Sequence, residues 1–281
     1  MWFFSADWHL GHSNIIKYCR RPFLTREEEG LIGMADRGSI PGTEIRISQE
    51  STDRMTDTII DSTNAVVGRD DTLVLAGDFC SWSRATRQTI AKQYRDRIKC
   101  RNVIIVWGNH DDRRDLGPIF NSAYDEYLFK VDGQYIFVNH YPCRSWDRAH
   151  HGSWMLYGHV HNLYWEEDNG GIMPWQKQVF TNGFQDILGN FGIQNDNGQR
   201  DEAVRQLLDV VASTNGIDLT MDVGVDNVRA GIPFGTPWSM HDLREHFAQK
   251  MDRWNARSNA IRNLRPVSTL KSGNSNANPK F

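Results

Sequence analysis

Short apolar runs rich in β-branched and aromatic residues recur along the chain, and each of them ends in a polar cluster. These runs occupy residues 2–6, 72–76, 102–107, 135–139, 154–157 and 219–225. Runs of this length are typical of strands buried inside a sheet. Segments with helical periodicity lie between them, so that strands and helices alternate. This alternation predicts an α/β fold.

The clearest turn signal is Asp132-Gly133, which separates apolar segments at residues 127–131 and 134–138. A two-residue Asp-Gly loop between two such segments is a strong signal of a β-hairpin. The later strands are therefore predicted to include an antiparallel pair, and the sheet is predicted to be mixed.

Two helices can be placed from the spacing of their apolar residues. One face of the first helix carries Met55, Ile59, Ile60 and Val66. A last helix is predicted to begin at Ser239, with Asp242 three residues later in the arrangement of a capping box. The stripe predicted to pack this last helix on the sheet consists of Met240, Leu243, Phe247, Met251 and Trp254.

The charge balance limits the partners of the chain. It has 32 basic and 35 acidic residues and a net charge of -3, which gives no global field for a polyanion. Phosphate recognition must therefore be local, and long nucleic acid is not expected as a partner. The longest uninterrupted apolar stretch, residues 103–107, is far shorter than the roughly 18 residues of a membrane span. No membrane partner is expected.

The four cysteines, Cys19, Cys80, Cys100 and Cys143, lie far apart and form no Cys-x-x-Cys pair. This spacing is typical of reduced thiols, and it predicts a cytoplasmic protein without a zinc finger. The first residues lack the basic start of a secretory signal, which agrees with that prediction.

Histidines and carboxylates are concentrated in the polar clusters that follow the predicted strands. These clusters are Asp7-Trp8-His9, Gly77-Asp78, Gly108-Asn109-His110-Asp111, Asn139-His140 and Gly158-His159-Val160-His161. Because ligands bind at the carboxyl edge of an α/β sheet, clusters from distant parts of the chain can form one site. Aspartate, asparagine and histidine without cysteine suit divalent manganese, iron, nickel or zinc. Such a site has room for two ions.

The order of these clusters resembles the signature of the calcineurin-like metallophosphoesterases, which is D-x-H, G-D, G-N-H-D or G-N-H-E, H, and then G-H-x-H. Residues 7–16 read D-W-H-L-G-H-S-N-I-I, which is similar to the opening of the small bacterial and phage-type members. The resemblance covers residues 1–162 and 222–227. It implies a four-layer α/β/β/α sandwich with mixed β-sheets.

The resemblance also implies ligands for two divalent metal ions, with manganese expected first and iron, nickel or zinc as alternatives. One ion would be held by Asp7, His9, Asp78 and His161, and the other by Asp78, Asn109, His140 and His159. Two ions about 3.5 to 4 Å apart can activate a water to hydroxide and hold it in line with a P–O bond. The expected reaction is hydrolysis of a phosphomonoester or phosphodiester of a nucleotide or another small molecule.

Four further residues are candidates for steps around the metals. His110 is expected to protonate or neutralise the leaving oxygen, and Asp111 either orients its imidazole or caps the loop. His12 either lies near the phosphate or caps the start of a helix. Arg144 either binds phosphate or is a solvated loop residue.

Two segments interrupt the alternation of strands and helices, at about residues 28–49 and 164–217. They are interpreted as insertions in a single domain that spans residues 1–265. Residues 266–281 have nothing apolar to bury and are predicted to be disordered. Trp165 and Trp175 in the second insertion either line the site and favour a nucleotide-sized substrate, or anchor the insertion.

Two other functions stay open beside the phosphoesterase hypothesis. A nuclease on DNA or RNA needs clustered basic residues, for which the candidates are Arg20, Arg21, Arg113, Arg114, Arg144 and Arg148. A non-catalytic metal-binding interaction module is expected to have lost ligands, and no ligand position is missing from this sequence. The oligomeric state is not predicted.

Overall fold

The computed structural model describes residues 1–80, 87–143, 145–161, 188 and 219–264. Its helices are α1 (Ser13–Tyr18), α2 (Arg26–Asp36), α3 (Gln49–Val66), α4 (Arg87–Arg97), α5 (Arg113–Leu116) and α6 (Met240–Leu264). Its strands are β1 (Trp2–Ser5), β2 (Thr72–Leu75), β3 (Asn102–Val106), β4 (Ser122–Tyr124), β5 (Glu126–Val131), β6 (Gln134–Asn139), β7 (Trp154–Tyr157), β8 (Thr220–Asp222) and β9 (Trp238–Ser239). All six strands predicted from the apolar runs are present.

The strands form two sheets. The first has the order β4-β3-β2-β1-β9, in which β1 to β4 are parallel and β9 is antiparallel to β1. The second has the order β5-β6-β7-β8, in which β5 and β6 are antiparallel and the other two pairs are parallel. Both sheets are mixed, which confirms the prediction.

The two faces of the first sheet pack in different cores. In β1, Phe3 packs in a core with residues of helices α1 to α4, whereas Phe4 packs in a second core with residues of the second sheet. Helix α6 lies on the second sheet, where Phe247 stacks on Trp154 with 4.5 Å between ring centroids. Helices, two sheets and a further helix therefore form the layers of an α/β/β/α sandwich, as predicted.

The predicted hairpin joins β5 to β6, with Val131 opposite Gln134. Its central residues Asp132 and Gly133 have φ values of 48° and 88°. Positive φ at both positions is the conformation of a type I′ turn, whose twist matches that of the flanking strands. The hairpin prediction is confirmed.

Helix α3 buries most of its predicted face, since Met55, Ile59 and Ile60 are each at most 1% exposed. The prediction for Val66 is wrong, because this last residue of the helix is 43% exposed. The chain leaves the helix at that point and buries Val67 instead.

Helix α6 begins with the predicted capping box. The N–H of Ser239 donates to Oδ2 of Asp242 at 2.8 Å, and the N–H of Asp242 donates back to Oγ of Ser239 at 3.2 Å. Met240, Leu243 and Phe247 are buried, whereas the Trp254 side chain lies outside the described residues. None of the helices that the structure describes combines the length and apolar character of a membrane-spanning helix.

Residues 28–49 begin inside α2 and bury Ile32, Ile45 and Ile47 against the core of the first sheet. The interpretation of this segment as an insertion stays a prediction. The predicted insertion at 164–217, apart from Leu188, and the predicted disordered tail at 266–281 lie outside the described residues.

Candidate metal centre

The polar clusters of the sequence meet where the two sheets present the carboxyl ends of their parallel strands. Each strand end supplies one or two of the predicted ligands: Asp7 and His9 after β1, Asp78 after β2, Asn109 after β3, His140 after β6, and His159 and His161 after β7. The rings of His9 and His161 lie 5.1 Å apart between centroids, as do those of His140 and His159. The convergence expected of a sheet edge is therefore present.

Asp7, His9 and His161 form one compact group. A donor atom of each lies within 4.8 Å of the donor atoms of the other two. The N–H of His159 donates to both carboxylate oxygens of Asp7 at 2.9 Å, which fixes this carboxylate across the junction of the two sheets.

Asp78 lies between the two halves of the site. Its Oδ2 is 3.4 Å from Nε2 of His9 and 3.4 Å from Nε2 of His140. Its Oδ1 accepts a hydrogen bond of 2.9 Å from the N–H of His110. One oxygen is thus held by the backbone, while the other faces a histidine from each half. A carboxylate in this position can be shared by two cations.

Asn109 occupies the equivalent place on the other side. Its Oδ1 lies 2.9 Å from Nε2 of His140 and 3.0 Å from Nδ1 of His159. The second nitrogen of the His140 ring, Nδ1, is 2.8 Å from the carbonyl oxygen of Ala76. This contact orients the ring so that Nε2 faces Asn109 and Asp78.

Most of these residues adopt a left-handed backbone conformation. The φ values are 57° for Asp7, 49° for His9, 58° for Asp78, 71° for His159 and 51° for His161. Such a conformation in a non-glycine residue costs about 1–3 kcal/mol and persists only where its surroundings enforce it. In the described part of the chain, five of the eight non-glycine residues with positive φ are therefore candidate ligands.

Two glycines allow the loops to approach this closely. A Cβ atom at Gly108 would lie 2.2 Å from Oδ1 of Asp78, and one at Gly158 would lie 2.6 Å from Oδ2 of Asp7. No other residue fits at either position without moving a carboxylate. Both glycines fall inside the clusters singled out in the sequence.

The His9 side chain is buried without hydrogen bonds. It is 1% exposed, and neither Nδ1 nor Nε2 has a hydrogen-bond partner in the described part of the chain. Such atoms are rare in folded proteins and require an explanation. A borderline-hard divalent cation bound by His9, Asp7 and His161 provides one, because imidazole and carboxylate are its preferred ligands. The residues present therefore fit the metals that the resemblance implies.

The pKa values of the candidate ligands are strongly shifted. Burial raises the pKa of Asp7 to about 7, against the opposing effects of His161 and His140. Burial lowers the pKa of His140, but the hydrogen bond and charge of Asp78 outweigh it and raise this pKa to about 9. Burial also opposes the hydrogen bonds of Asp226 and Cys19 at His161, which raise its pKa to about 11. A cation that binds here must therefore displace protons.

Asp111 lies beside His110 and contacts the backbone of two loops of the site. Its carboxylate accepts hydrogen bonds from three backbone N–H groups, those of Gly108 at 2.8 Å, Asp78 at 2.9 Å and Phe79 at 3.0 Å. The carboxylate ties the loop after β3 to the loop after β2. Oδ2 of Asp111 accepts two of these bonds and Oδ1 accepts one, and no hydrogen bond joins this carboxylate to the His110 ring among the described residues. The arrangement supports the loop-cap alternative, and a role of Asp111 in orienting the His110 imidazole stays a prediction.

His110 and His12 both lie at the edge of the site. The exposed His110 ring is 5.1 Å from the ring of His9 and 6.1 Å from that of His12. His12 is the N-cap residue of α1 but makes no side-chain capping bond, so the capping alternative for His12 is wrong. Burial lowers the pKa of His12 to about 4, which keeps its imidazole neutral at physiological pH. Arg144 lies outside the described residues.

The sequence reasoning did not identify Arg21, Asp226 and Cys19 as parts of the site. Arg21 and Asp226 form a buried ion pair of 2.7 Å, and Oδ2 of Asp226 is 2.7 Å from Nδ1 of His161. Donor atoms of Cys19, Asp226 and His161 lie within 4.8 Å of one another. The one signal in the sequence was that Arg21 and Asp226 lie within residues 1–162 and 222–227, which carry the family resemblance, and this signal does not distinguish Arg21 from Arg20.

Three of the six candidate nuclease arginines form ion pairs with acidic residues. Arg20 forms an ion pair with Asp36, and Arg113 forms one with Asp125. Arg21 forms a buried ion pair with Asp226. Arg21 is buried and so cannot belong to a phosphate-binding stripe on the surface, and the charges of Arg20 and Arg113 are partly offset by their acidic neighbours.

The chain is similar to a protein family, to a curated protein and to a solved structure. A family model described as calcineurin-like phosphoesterase matches residues 4–220. The chain is 26% identical over 164 residues to an uncharacterized protein of Methanocaldococcus jannaschii, covering 58% of this chain and 70% of that one. It is also similar to the crystal structure of a protein of unknown function from Aquifex aeolicus, with 20% identity, a TM-score of 0.39 and coverage of 60% of this chain and 81% of that one.

Proposed function

The chain belongs to the calcineurin-like phosphoesterase family, and on that premise we propose that it hydrolyses a phosphomonoester or phosphodiester of a small molecule at a dinuclear metal centre. The observation that carries the proposal is the position of Asp78, whose Oδ2 faces a histidine of each half of the site at 3.4 Å. It is also supported by the buried ring nitrogens of His9, which make no hydrogen bond in the described part of the chain.

Two groups of residues would hold the metals. The first metal site consists of Asp7, His9, Asp78 and His161. The second metal site consists of Asp78, Asn109, His140 and His159. Manganese is the first expectation for both, with iron, nickel or zinc as alternatives, because the ligand set is nitrogen and oxygen without sulfur. When bound, two divalent ions supply Lewis acidity that polarises phosphoryl oxygens and lowers the pKa of the attacking water.

The protein groups supply position and charge. Asp7 and Asp78 offset only part of the charge of two divalent cations, so the loaded centre attracts a phosphate although the whole chain has a net charge of -3. Asp78 and Asp7 are held by the backbone N–H groups of His110 and His159. These bonds keep the carboxylates in place before substrate arrives, so that little reorganisation accompanies the reaction.

His110 is the candidate general acid, because its side chain is exposed at the edge of the site. Its neighbour Asp111 accepts hydrogen bonds from backbone N–H groups. His12, which is kept neutral by burial, can donate a ring N–H to a phosphate oxygen. We also propose Arg144 as a phosphate-binding residue, and this proposal rests on the sequence alone.

The proposed substrate is a small phosphorylated molecule such as a nucleotide. The pairing of Arg20 and Arg113 with acidic residues supports a small substrate over long nucleic acid. The presence of every ligand position supports an enzyme over a non-catalytic interaction module. The four free cysteines support the cytoplasm as the compartment.

The proposal is tested by assaying the manganese-loaded protein against an aryl phosphomonoester, an aryl phosphodiester, cyclic nucleotides and a short oligonucleotide. We expect turnover of at least one small ester that is abolished by a chelator and restored by Mn²⁺. Efficient cleavage of the oligonucleotide alone would favour the nuclease alternative. Metal binding without hydrolysis of any of these substrates would favour the interaction module.

A further inference from the structure

Arg21 is a buried cation whose hydrogen-bonding capacity is fully used. Its side chain is 0% exposed. Its Nε and Nη2 donate to the two carboxylate oxygens of Asp226 at 2.8 and 2.7 Å. Nη2 also donates to the carbonyl oxygen of Asp7 at 2.7 Å. Nη1 donates to the carbonyl oxygen of Trp8 at 3.0 Å and to Sδ of Met55 at 3.3 Å. Each of the five guanidinium N–H groups thus has an acceptor.

The turn after helix α1 delivers Arg21 to this position. Arg20 is left-handed, with φ of 53°, and the N–H of Arg21 donates to the carbonyl of Ile16 at 2.9 Å. This is the bonding of a Schellman turn, in which the chain reverses directly after a helix. The reversal places Arg20 on the surface and Arg21 beneath the loop that follows β1.

The contacts with the carbonyls of Asp7 and Trp8 bear on the first metal site. Successive carbonyls of an extended strand point in opposite directions, yet one guanidinium holds both of these. This is accommodated because Asp7 is left-handed. Arg21 therefore stabilises the strained backbone that carries the Asp7 and His9 side chains.

Asp226 extends the same network to the third member of the group. Its Oδ2 lies 2.7 Å from Nδ1 of His161, and since a carboxylate only accepts, Nδ1 carries the hydrogen. Nε2 of the neutral ring is then the nitrogen that can bind a cation. A carboxylate behind a metal-bound histidine fixes both the tautomer and the ring orientation.

We propose that Arg21 and Asp226 are positioning residues that assemble the first metal site and leave the second to other contacts. The inference rests on the proposed metal centre. One guanidinium links the loop that carries Asp7 and His9 to the carboxylate that orients His161.

The second metal site is held by different groups. His140 is oriented by the carbonyl of Ala76, and Asn109 contacts His140 and His159. In the described part of the chain, Arg21 and Asp226 form hydrogen bonds with none of these three ligands. Loss of Arg21 should therefore affect the two metals unequally.

A neutral pair is needed behind a cation site. A lone buried guanidinium would repel the metal, but the bidentate contact with Asp226 offsets its charge. Lysine cannot replace Arg21, because its ammonium has three donors and lacks the planar guanidinium that binds a carboxylate through two parallel hydrogen bonds.

The test is a calorimetric titration of the metal-free full-length protein with MnCl₂, with His161→Ala and His159→Ala used to assign the two binding events. Arg21→Met and Asp226→Asn are compared with Arg95→Met. Arg95 is a partly buried arginine that donates to the carbonyls of Ile98 and Arg101 away from the site, so it controls for general destabilisation. Thermal unfolding of each metal-free protein is measured in parallel.

We expect Arg21→Met and Asp226→Asn to weaken the event assigned to His161 by about 10- to 100-fold and to leave the event assigned to His159 unchanged. Arg95→Met should lower the unfolding temperature and change neither event. Equal weakening of both events, or no change in either, would overturn the inference. If Arg21→Met does not fold, Asp226→Asn decides alone. A wild-type protein that binds no Mn²⁺ would reject the metal centre itself, and this inference with it.

Discussion

A Cβ atom on Gly158 would lie 2.6 Å from Oδ2 of Asp7. The Asp7 carboxylate can occupy its position in the site because Gly158 has no side chain. The two residues belong to different sheets, because Gly158 follows β7 and Asp7 follows β1. The centre therefore depends on how closely the sheets approach at this point.

Gly158→Ala should weaken Mn²⁺ binding, because the new methyl group would lie 2.6 Å from both Oδ2 of Asp7 and Cβ of Ala6 and so displace the segment that carries the Asp7 carboxylate. Overpacking of this kind costs about 1–3 kcal/mol, and if that cost falls on the metal-bound state it corresponds to a loss of affinity of about 5- to 150-fold. The matched control is Gly117→Ala, since nothing lies within 4 Å of a Cβ atom there. Unchanged Mn²⁺ affinity in Gly158→Ala would show that Asp7 is not a ligand.

Asp111→Asn should destabilise the fold without a specific effect on proton transfer. An amide can accept hydrogen bonds through only one atom, so at least one of the N–H groups of Gly108, Asp78 and Phe79 loses its partner. An unsatisfied buried donor costs about 1–3 kcal/mol, measurable by urea unfolding. The reverse result, normal stability with reduced turnover of poor leaving groups, would support the alternative in which Asp111 orients His110.

His110→Ala should keep both metals and reduce kcat by about 10² to 10⁴, the usual contribution of general acid catalysis. The loss should be largest for an alkyl phosphate and small for a nitrophenyl phosphate, whose leaving group needs no proton. Steady-state kinetics on both substrates, with elemental analysis of the variant, check this expectation. A loss of metal would instead make His110 a ligand. That outcome is sterically possible, because donor atoms of His110, His9 and Asp78 lie within 4.8 Å of one another.

Glu28 should make the stability of the fold depend on pH in the acid range. Its carboxylate is 5% exposed and accepts hydrogen bonds from the N–H groups of Thr25 and Ser48 and from Oγ of Ser51. Although burial raises the pKa of Glu28, these bonds outweigh it and lower the pKa from 4.5 to about 2.

A depressed pKa in the folded state means that the stabilisation is complete above pH 4.5 and is lost as the pH falls towards about 2. The shift corresponds to about 3 kcal/mol at most. Glu28→Gln should therefore be less stable than wild type at pH 7, and the difference should shrink at pH 3. The exposed neighbour Glu29→Gln is the control, and an equal difference at both pH values would contradict the assignment.

The candidate ligands could be predicted from the sequence because each lies directly after an apolar run. Asp7 and Asp78 follow parallel strands of one sheet, and the carboxyl ends of such strands meet at one edge whatever the sequence separation. Local pattern and the topology of α/β sheets were sufficient for that step.

The support behind the ligands could not be predicted in the same way. Arg21 and Asp226 are 205 positions apart, and nothing local distinguishes Arg21 from Arg20, which lies on the surface. The role of Asp111 was open for a similar reason, because its choice of partner depends on the distance to the backbone of another loop. Long-range packing decides both cases.

The central claim is that Asp78 is shared by two metal ions, and the Mn²⁺ content of wild type and Asp78→Asn tests it most directly. Elemental analysis of the two proteins after loading and removal of free metal should give about two Mn²⁺ per chain in the wild type. Asp78→Asn should retain less metal and lose turnover together with it, because an amide does not supply the negative charge that lets two cations lie side by side. An Asp78→Asn variant that keeps its full Mn²⁺ content and its activity would contradict the account.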